Sequence, residues 1–164
     1  MFNIYLFYSK DGFGLNLDLK YLPLPKDFLH ILLVDDDAMD RELFREALNS
    51  AGLQCRLSEA SNGEEGLQVL RGQSLPDLVI LDLNMPVKDG RQTLAEIKSD
   101  PALRSLPVCI MSTSSAHFDV SKAYESGANL FLVKPLDFRQ LVEMVRTLVT
   151  LFGKFVSFHS EPAR

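Results

Sequence analysis

The sequence predicts an α/β domain: a parallel sheet of five strands with helices on both faces. Three observations carry this. Apolar runs of strand length alternate five times with segments of helical period over residues 30–152. Two central runs, DLVILDL (77–83) and PVCIMS (107–112), are almost continuously apolar, as in strands buried on both faces. Acids, hydroxyls and one lysine gather where the runs end, at Asp35-Asp36-Asp37, Asp82, Ser112-Thr113 and Lys134.

Residues 1–29 stand apart. Lys10-Asp11-Gly12 lies between two apolar stretches and can turn a hairpin. Pro23 and Pro25 then read as a linker. Of a hairpin and a disordered leader, the leader is slightly favoured, because an isolated two-stranded hairpin is marginal in water. The alternating zone opens with HILLV (30–34). Asp37 can cap a first helix whose Leu43, Phe44, Ala47 and Leu48 share a face, with Gly52 as its end. CRLSEA (55–60) alternates like an edge strand. Asn62 and Glu65 form a capping-box pattern before Leu67 and Leu70. Asp89 and Gln92 precede a helix carrying Leu94 and Ile97. A short helix around Val120, Ala123 and Tyr124 stops at Gly127, and NLFLV (129–133) is the fifth strand. Asp137 and Gln140 then cap the last helix, with Leu136 and Leu141 placed as a hydrophobic staple. The expected organisation is an N-terminal extension over 1–29, one domain over 30–150, and a helix end and tail over 151–164.

Composition narrows the class. The chain has 164 residues, 46% hydrophobic and 24% charged, which suits a single core with extensions. A net charge of −5 argues against nucleic acid or an anionic membrane held by bulk electrostatics. No apolar stretch reaches the ~20 residues of a membrane-spanning helix. The first residues lack the basic leader of a signal peptide. Cys55 and Cys109 lie in strand-like runs without metal-ligand spacing. Their bland reading is as buried thiols in a reducing compartment, so a cytoplasmic protein is expected.

In open parallel sheets the ligand site lies beyond the carboxyl ends of the strands. Singly, an acid after a strand is most often a helix cap, a Lys before Pro a surface residue, and a Ser-Thr pair a turn. Together, on one edge of one sheet, they have a common task. Close carboxylates repel unless a cation neutralises them. Mg²⁺ prefers hard oxygen ligands, so Asp36 and Asp82 can bind it, with Asp35 holding a metal-bound water. A carboxylate can also act as nucleophile toward phosphorus, forming an acyl phosphate. Lys134 and the Ser112 hydroxyl would then take further phosphoryl oxygens.

ILLVDDD (31–37), LVILDLNMPVKDG (78–90), PVCIMSTS (107–114) and LFLVKP (130–135) resemble the receiver domains of two-component response regulators, in order and spacing, over roughly residues 30–150. The resemblance implies a flavodoxin-like strand order, 2-1-3-4-5. It implies Asp82 as phosphoacceptor and Asp35 and Asp36 as the acidic pair organising Mg²⁺. Asn84 would give a backbone carbonyl to the metal. Ser112 would be the switch hydroxyl, Lys134 the phosphate-contacting lysine and Phe131 the switch aromatic, although an aromatic in a strand is as often simply core. Pro135 matches a proline that follows a cis bond in the family, and Gly90 matches the glycine of the loop after the acceptor. Asp37 and Asp89 read as helix caps instead.

The resemblance further implies a histidine kinase or phosphotransfer protein as donor, and a downstream protein target that the sequence does not name. With no effector domain after the receiver, the chain resembles stand-alone receivers of chemotaxis or phosphorelay type. GRQTLAEIKSDPALRSLPV (90–108) also resembles phytochrome-associated single-domain regulators. In the last helix Leu141, Val145, Leu148 and Phe152 form the stripe that packs on a sheet. Val142, Val149, Leu151, Phe155, Val156 and Phe158 exceed that need, which favours a homodimer through this helix over cover by the N-terminal extension. Two other functions compete. An Asp-nucleophile phosphatase of the haloacid-dehalogenase kind needs a second Asp where Asn84 stands. A phosphorylation-independent binding module would not need the acid, hydroxyl and lysine set.

Overall fold

The computed structural model describes residues 7–9, 12–14 and 28–156. Two short strands, β1 (Phe7–Ser9) and β2 (Gly12–Gly14), pair antiparallel on either side of Lys10 and Asp11. The linker reading of Pro23 and Pro25, and Phe158, lie outside the described residues.

From Leu29 the chain alternates as the sequence predicts. The order is β3 (Leu29–Val34), α1 (Ala38–Ser50), β4 (Cys55–Ala60), α2 (Gly63–Leu70), β5 (Leu78–Leu81), α3 (Gly90–Ser99), β6 (Val108–Ser112), α4 (His117–Glu125), β7 (Leu130–Val133) and α5 (Phe138–Thr150), which ends in a π-helical turn at Leu151–Phe155. The five strands β3 to β7 form one parallel sheet in the order β4-β3-β5-β6-β7. Counted within that sheet, the order is 2-1-3-4-5.

Side chains alternate across the pleat, so each central strand feeds two cores. Leu32 and Val34, Val79 and Leu81, and Val108 and Ile110 face α2, α3 and α4, meeting Leu67, Leu94, Ile97 and Ala123. Ile31 and Leu33, Leu78 and Ile80, and Cys109 and Met111 face α1 and α5, meeting Phe44, Ala47, Val145 and Leu148. Burial on both faces explains why these runs lack polar alternation. CRLSEA does alternate, and β4 is indeed an edge strand.

The expected caps form. Asp37, Asn62, Asp89 and Asp137 accept from the backbone N–H groups of Met39, Glu65, Arg91 and Arg139. The capping box at α2 is modified: Glu65 accepts from the N–H and hydroxyl of Ser61 rather than from the N–H of Asn62. The staple at α5 does not form. Leu136 is fully exposed, while Leu141 packs on the core beneath α5. That core also absorbs much of the apolar surplus of α5: Val149 is buried, and Val142 and Val156 pack against it. Leu151 and Phe155 remain exposed.

Candidate functional site

The backbone brings the chemistry together because β3, β5 and β7 continue their ladders past their ends, while β6 ends on Ser112 itself. Asp35 N–H donates to the Ala60 carbonyl at 3.1 Å, Asp82 N–H to Val34 at 2.9 Å, and Lys134 N–H to Ser112 at 2.8 Å. Four strands thereby deliver their last polar residue to one edge of the sheet. Asp35, Asp82 and Ser112 are buried, while Asp36 and Asn84 face solvent.

Lys134 is the hub. Its ammonium lies 2.7 Å from Asp35 Oδ2, 2.7 Å from Asp40 Oδ2 and 2.9 Å from Asp82 Oδ2. Burial alone would pull the lysine pKa down, but the three carboxylates together push it above the usual lysine range. Burial pushes Asp35 up from the ordinary carboxylate value, only partly countered by its bond to Lys134. Carboxylate oxygens of Asp35, Asp36 and Asp82 lie within 4.8 Å of one another. That hard-oxygen donor set fits Mg²⁺ or a cation like it. Ser112 Oγ accepts the N–H of Ser114 at 3.2 Å.

The loop after Asp82 is shaped by close backbone approach. A Cβ on Gly90 would stand 1.9 Å from the Asp82 carbonyl oxygen, so only glycine lets α3 begin there. Gly90 N–H closes the loop onto the Leu83 carbonyl at 3.0 Å. Val87, at the loop's tip, has φ 69°, a strained value for a β-branched residue. Lys88 ties the loop to α2 and α3 through Glu64 at 3.1 Å and Glu96 at 2.6 Å.

All the predicted acids, Ser112, Lys134 and Asn84 therefore meet at one edge. Phe131 lies nearby in β7, half-buried against the α2–α4 core, with its N–H on the Tyr124 hydroxyl at 3.2 Å. One expectation is corrected: the Lys134–Pro135 bond is trans, not the cis bond implied by the resemblance. Trans is the intrinsically preferred form by about 0.5–1 kcal/mol. Asp40, in the first turn of α1, was not a predicted site residue. An acid in a helix's first turn is ordinarily a partner of the macrodipole, so nothing local marked it as the lysine's third carboxylate. Arg91 and Asp119 also escaped the sequence reading. They bridge α3 and α4 at 2.7 Å from positions far apart in the chain.

A family model described as "Response regulator receiver domain" matches residues 31–146. The response regulator Rcp1 of Synechocystis sp. (strain ATCC 27184 / PCC 6803 / Kazusa) is 37% identical over 133 residues, covering 77% of this chain and 90% of that protein. A probable methanogenesis regulatory protein, FilR2, of Methanothrix harundinacea is 36% identical over 123 residues, covering 72% of this chain and 79% of the relative. Among solved structures, the phosphorylated cyanobacterial phytochrome response regulator RcpA matches with a TM-score of 0.75 at 35% identity, over 81% of this chain and 99% of that one. The Mn²⁺-bound form of Rcp1 matches with a TM-score of 0.71 at 34% identity, over 79% and 98%.

Proposed function

Because the chain belongs to the response regulator receiver family, we propose that it is a phosphorylation-driven signalling switch whose acceptor is Asp82. The observation that carries this is the convergence on Asp82: the Lys134 ammonium at 2.9 Å, and the carboxylates of Asp35 and Asp36 close by. A histidine kinase or phosphotransfer protein is the donor. An Asp82 carboxylate oxygen bonds to phosphorus, the phosphorus–nitrogen bond of the donor histidine breaks, and its electron pair returns to the imidazole. Catalysis of such transfer is positioning and charge neutralisation more than acid–base chemistry.

Asp35, Asp36, Asp82 and the Asn84 carbonyl would hold Mg²⁺, which when bound neutralises developing charge on the phosphoryl oxygens. Lys134, released from Asp82, balances a further oxygen as a point charge. The Ser112 hydroxyl gives up its contact with Ser114 to donate to another oxygen. Phe131 then follows Ser112 inward, and the surface built from α4, β7 and α5 changes for a downstream protein partner. The protein hydrolyses its own acyl phosphate slowly. It also pairs with a second copy through the last helix, where Leu151 and Phe155 stand exposed.

The test is labelling by acetyl phosphate with Mg²⁺, read by intact mass. Wild type gains one phosphoryl group, and Asp82→Asn gains none. Stoichiometric label on Asp82→Asn would refute the assignment.

A further inference from the structure

Arg91 and Asp119 take no part in the phosphoryl chemistry above, yet they meet beside it. Arg91 lies in the first turn of α3, where the loop from Asp82 ends. Asp119 lies in the first turn of α4, where the loop from Ser112 ends. Arg91 Nη2 donates to Asp119 Oδ1 at 2.7 Å. Its Nη1 donates to Asp89 Oδ2 at 3.1 Å and to Asn84 Oδ1 at 3.4 Å. On the far side, Asp119 Oδ2 accepts the Ser114 hydroxyl at 2.6 Å, and Ser114 N–H donates to Ser112 Oγ at 3.2 Å. Asn84 N–H donates to Asp82 Oδ1 at 3.2 Å. One continuous chain of polar groups thus runs from the acceptor carboxylate through Asn84, Arg91, Asp119 and Ser114 to the Ser112 hydroxyl.

Helix α4 depends on this tether. Ala123 is its only buried residue, and its N-cap, Ala116, offers no side-chain bond. Phe118 and Tyr124 stay largely exposed, although the Tyr124 hydroxyl accepts the Phe131 N–H. A cavity of about 250 Å³ between α3 and α4 is lined by Leu83, Leu94, Phe118 and Ala123 together with the bridging pair. A helix held this thinly, with room beneath it, shifts when its ion pair to α3 is cut.

We propose that the Arg91–Asp119 bridge is a clasp across the mouth at Asp82 that restricts water and so sets the lifetime of the phosphoaspartate. The inference rests on Asp82 being the acceptor. In hydrolysis a water oxygen bonds to phosphorus while the phosphorus–oxygen bond to Asp82 breaks. The electron pair stays on the Asp82 carboxylate, and the water's proton passes to solvent. In-line attack needs a water positioned at the mouth, which Asn84 and Ser114 flank. With the clasp closed, both side chains are engaged: the Ser114 hydroxyl donates to Asp119, and the Asn84 amide oxygen accepts from Arg91. Opening the clasp frees both to hold water and loosens the loop over 113–116. Arg91 and Asp119 are positioning residues, not catalytic ones.

The test uses the full chain, loaded with acetyl phosphate and Mg²⁺ and then freed of donor, with decay of the label followed by intact mass. Arg91→Met and Asp119→Asn each shorten the lifetime by about three- to tenfold, the scale on which groups in one network couple. The double variant decays no faster than the quicker single, because each change opens the same clasp. Arg91→Lys, which keeps one charged contact with Asp119, falls between wild type and Arg91→Met. A purely structural role would instead lower loading and decay stability together with the thermal midpoint, so loading rate and melting are measured alongside. Decay within about twofold of wild type in both singles, slower decay, or effects that multiply in the double variant would overturn the clasp. Absence of label on wild type overturns the Asp82 assignment and the clasp with it, whereas label with unchanged decay overturns the clasp alone.

Discussion

At the scale of single residues, what the sequence revealed depended on where a residue stands in its element. Asp35, Asp82, Ser112 and Lys134 each end an apolar run, and a parallel sheet brings such ends together, so their meeting was predictable from pattern alone. Asp40, Arg91 and Asp119 sit in first turns of helices, where charge already has a local explanation, and their partners arrive only through tertiary packing. Gly90 was legible through the family resemblance, and the structure supplies its cause. Gly90→Ala would drive a Cβ into the Asp82 carbonyl oxygen, 1.9 Å away. Backbone cannot step aside as a flexible side chain does, so the cost falls at the upper end of the roughly 1–3 kcal/mol usual for overpacking. Urea unfolding measures it, and the same variant loads phosphate poorly because the acceptor's own peptide moves. Gly153→Ala is the control: a Cβ there meets nothing within 4 Å, and stability changes by less than about 1 kcal/mol. Equal midpoints for the two variants would show that close approach at Gly90 is not what selects glycine.

At the scale of elements, helix starts were the most legible feature, because a cap is a local interaction between a side chain and N–H groups two or three residues on. Helix faces were less legible. The apolar residues of α5 exceed one stripe, and sequence alone does not say which of them the sheet takes. The structure divides them. The helix closes in a π-helical turn over Leu151–Phe155, and Phe152 is buried while Phe155 points to solvent at 75% exposure. Their truncations should therefore differ sharply. Phe152→Ala empties a core position and costs about 3–5 kcal/mol of unfolding free energy. Phe155→Ala changes it by no more than about 0.5 kcal/mol. Denaturant midpoints at a concentration low enough to keep the protein monomeric compare the two. Comparable losses would mean that the π-helical turn does not orient the pair as described.

At the scale of the whole molecule, the parallel sheet and its two cores followed from alternation, while the strand order 2-1-3-4-5 was legible only through the family resemblance, since right-handed crossovers narrow the arrangements without choosing one. The proposed self-association rests instead on what remains outside after packing, which the apolar surplus of the last helix suggested without saying which residues are left. Leu151 and Phe155 remain outside near the end of the last helix. Magnitudes decide whether they suffice. Fully burying one such side chain contributes about 1.5–3 kcal/mol. Leu151 is 40% and Phe155 75% exposed, so only those fractions remain to be gained; with every contact occurring twice in an isologous dimer, the two residues from both copies together supply about 3–7 kcal/mol. Association itself costs about 4–15 kcal/mol in lost freedom. From these residues alone the balance is at or below zero, and a dimer stable at micromolar concentration needs further surface from the same end of the chain. It follows that Phe155 is decisive. Phe155→Ala removes about 2–4 kcal/mol across the two copies, enough to weaken dimerisation by about thirtyfold or more. Sedimentation equilibrium should then show wild type as a dimer at tens of micromolar and Phe155→Ala as a monomer, with the folded state intact in both. A net charge of −5 per copy opposes the pairing, so raising salt should tighten the wild-type dimer. A wild-type monomer at that concentration, with Asp82 phosphorylated and without, would sink the dimer and leave the exposed phenylalanine without an assigned role.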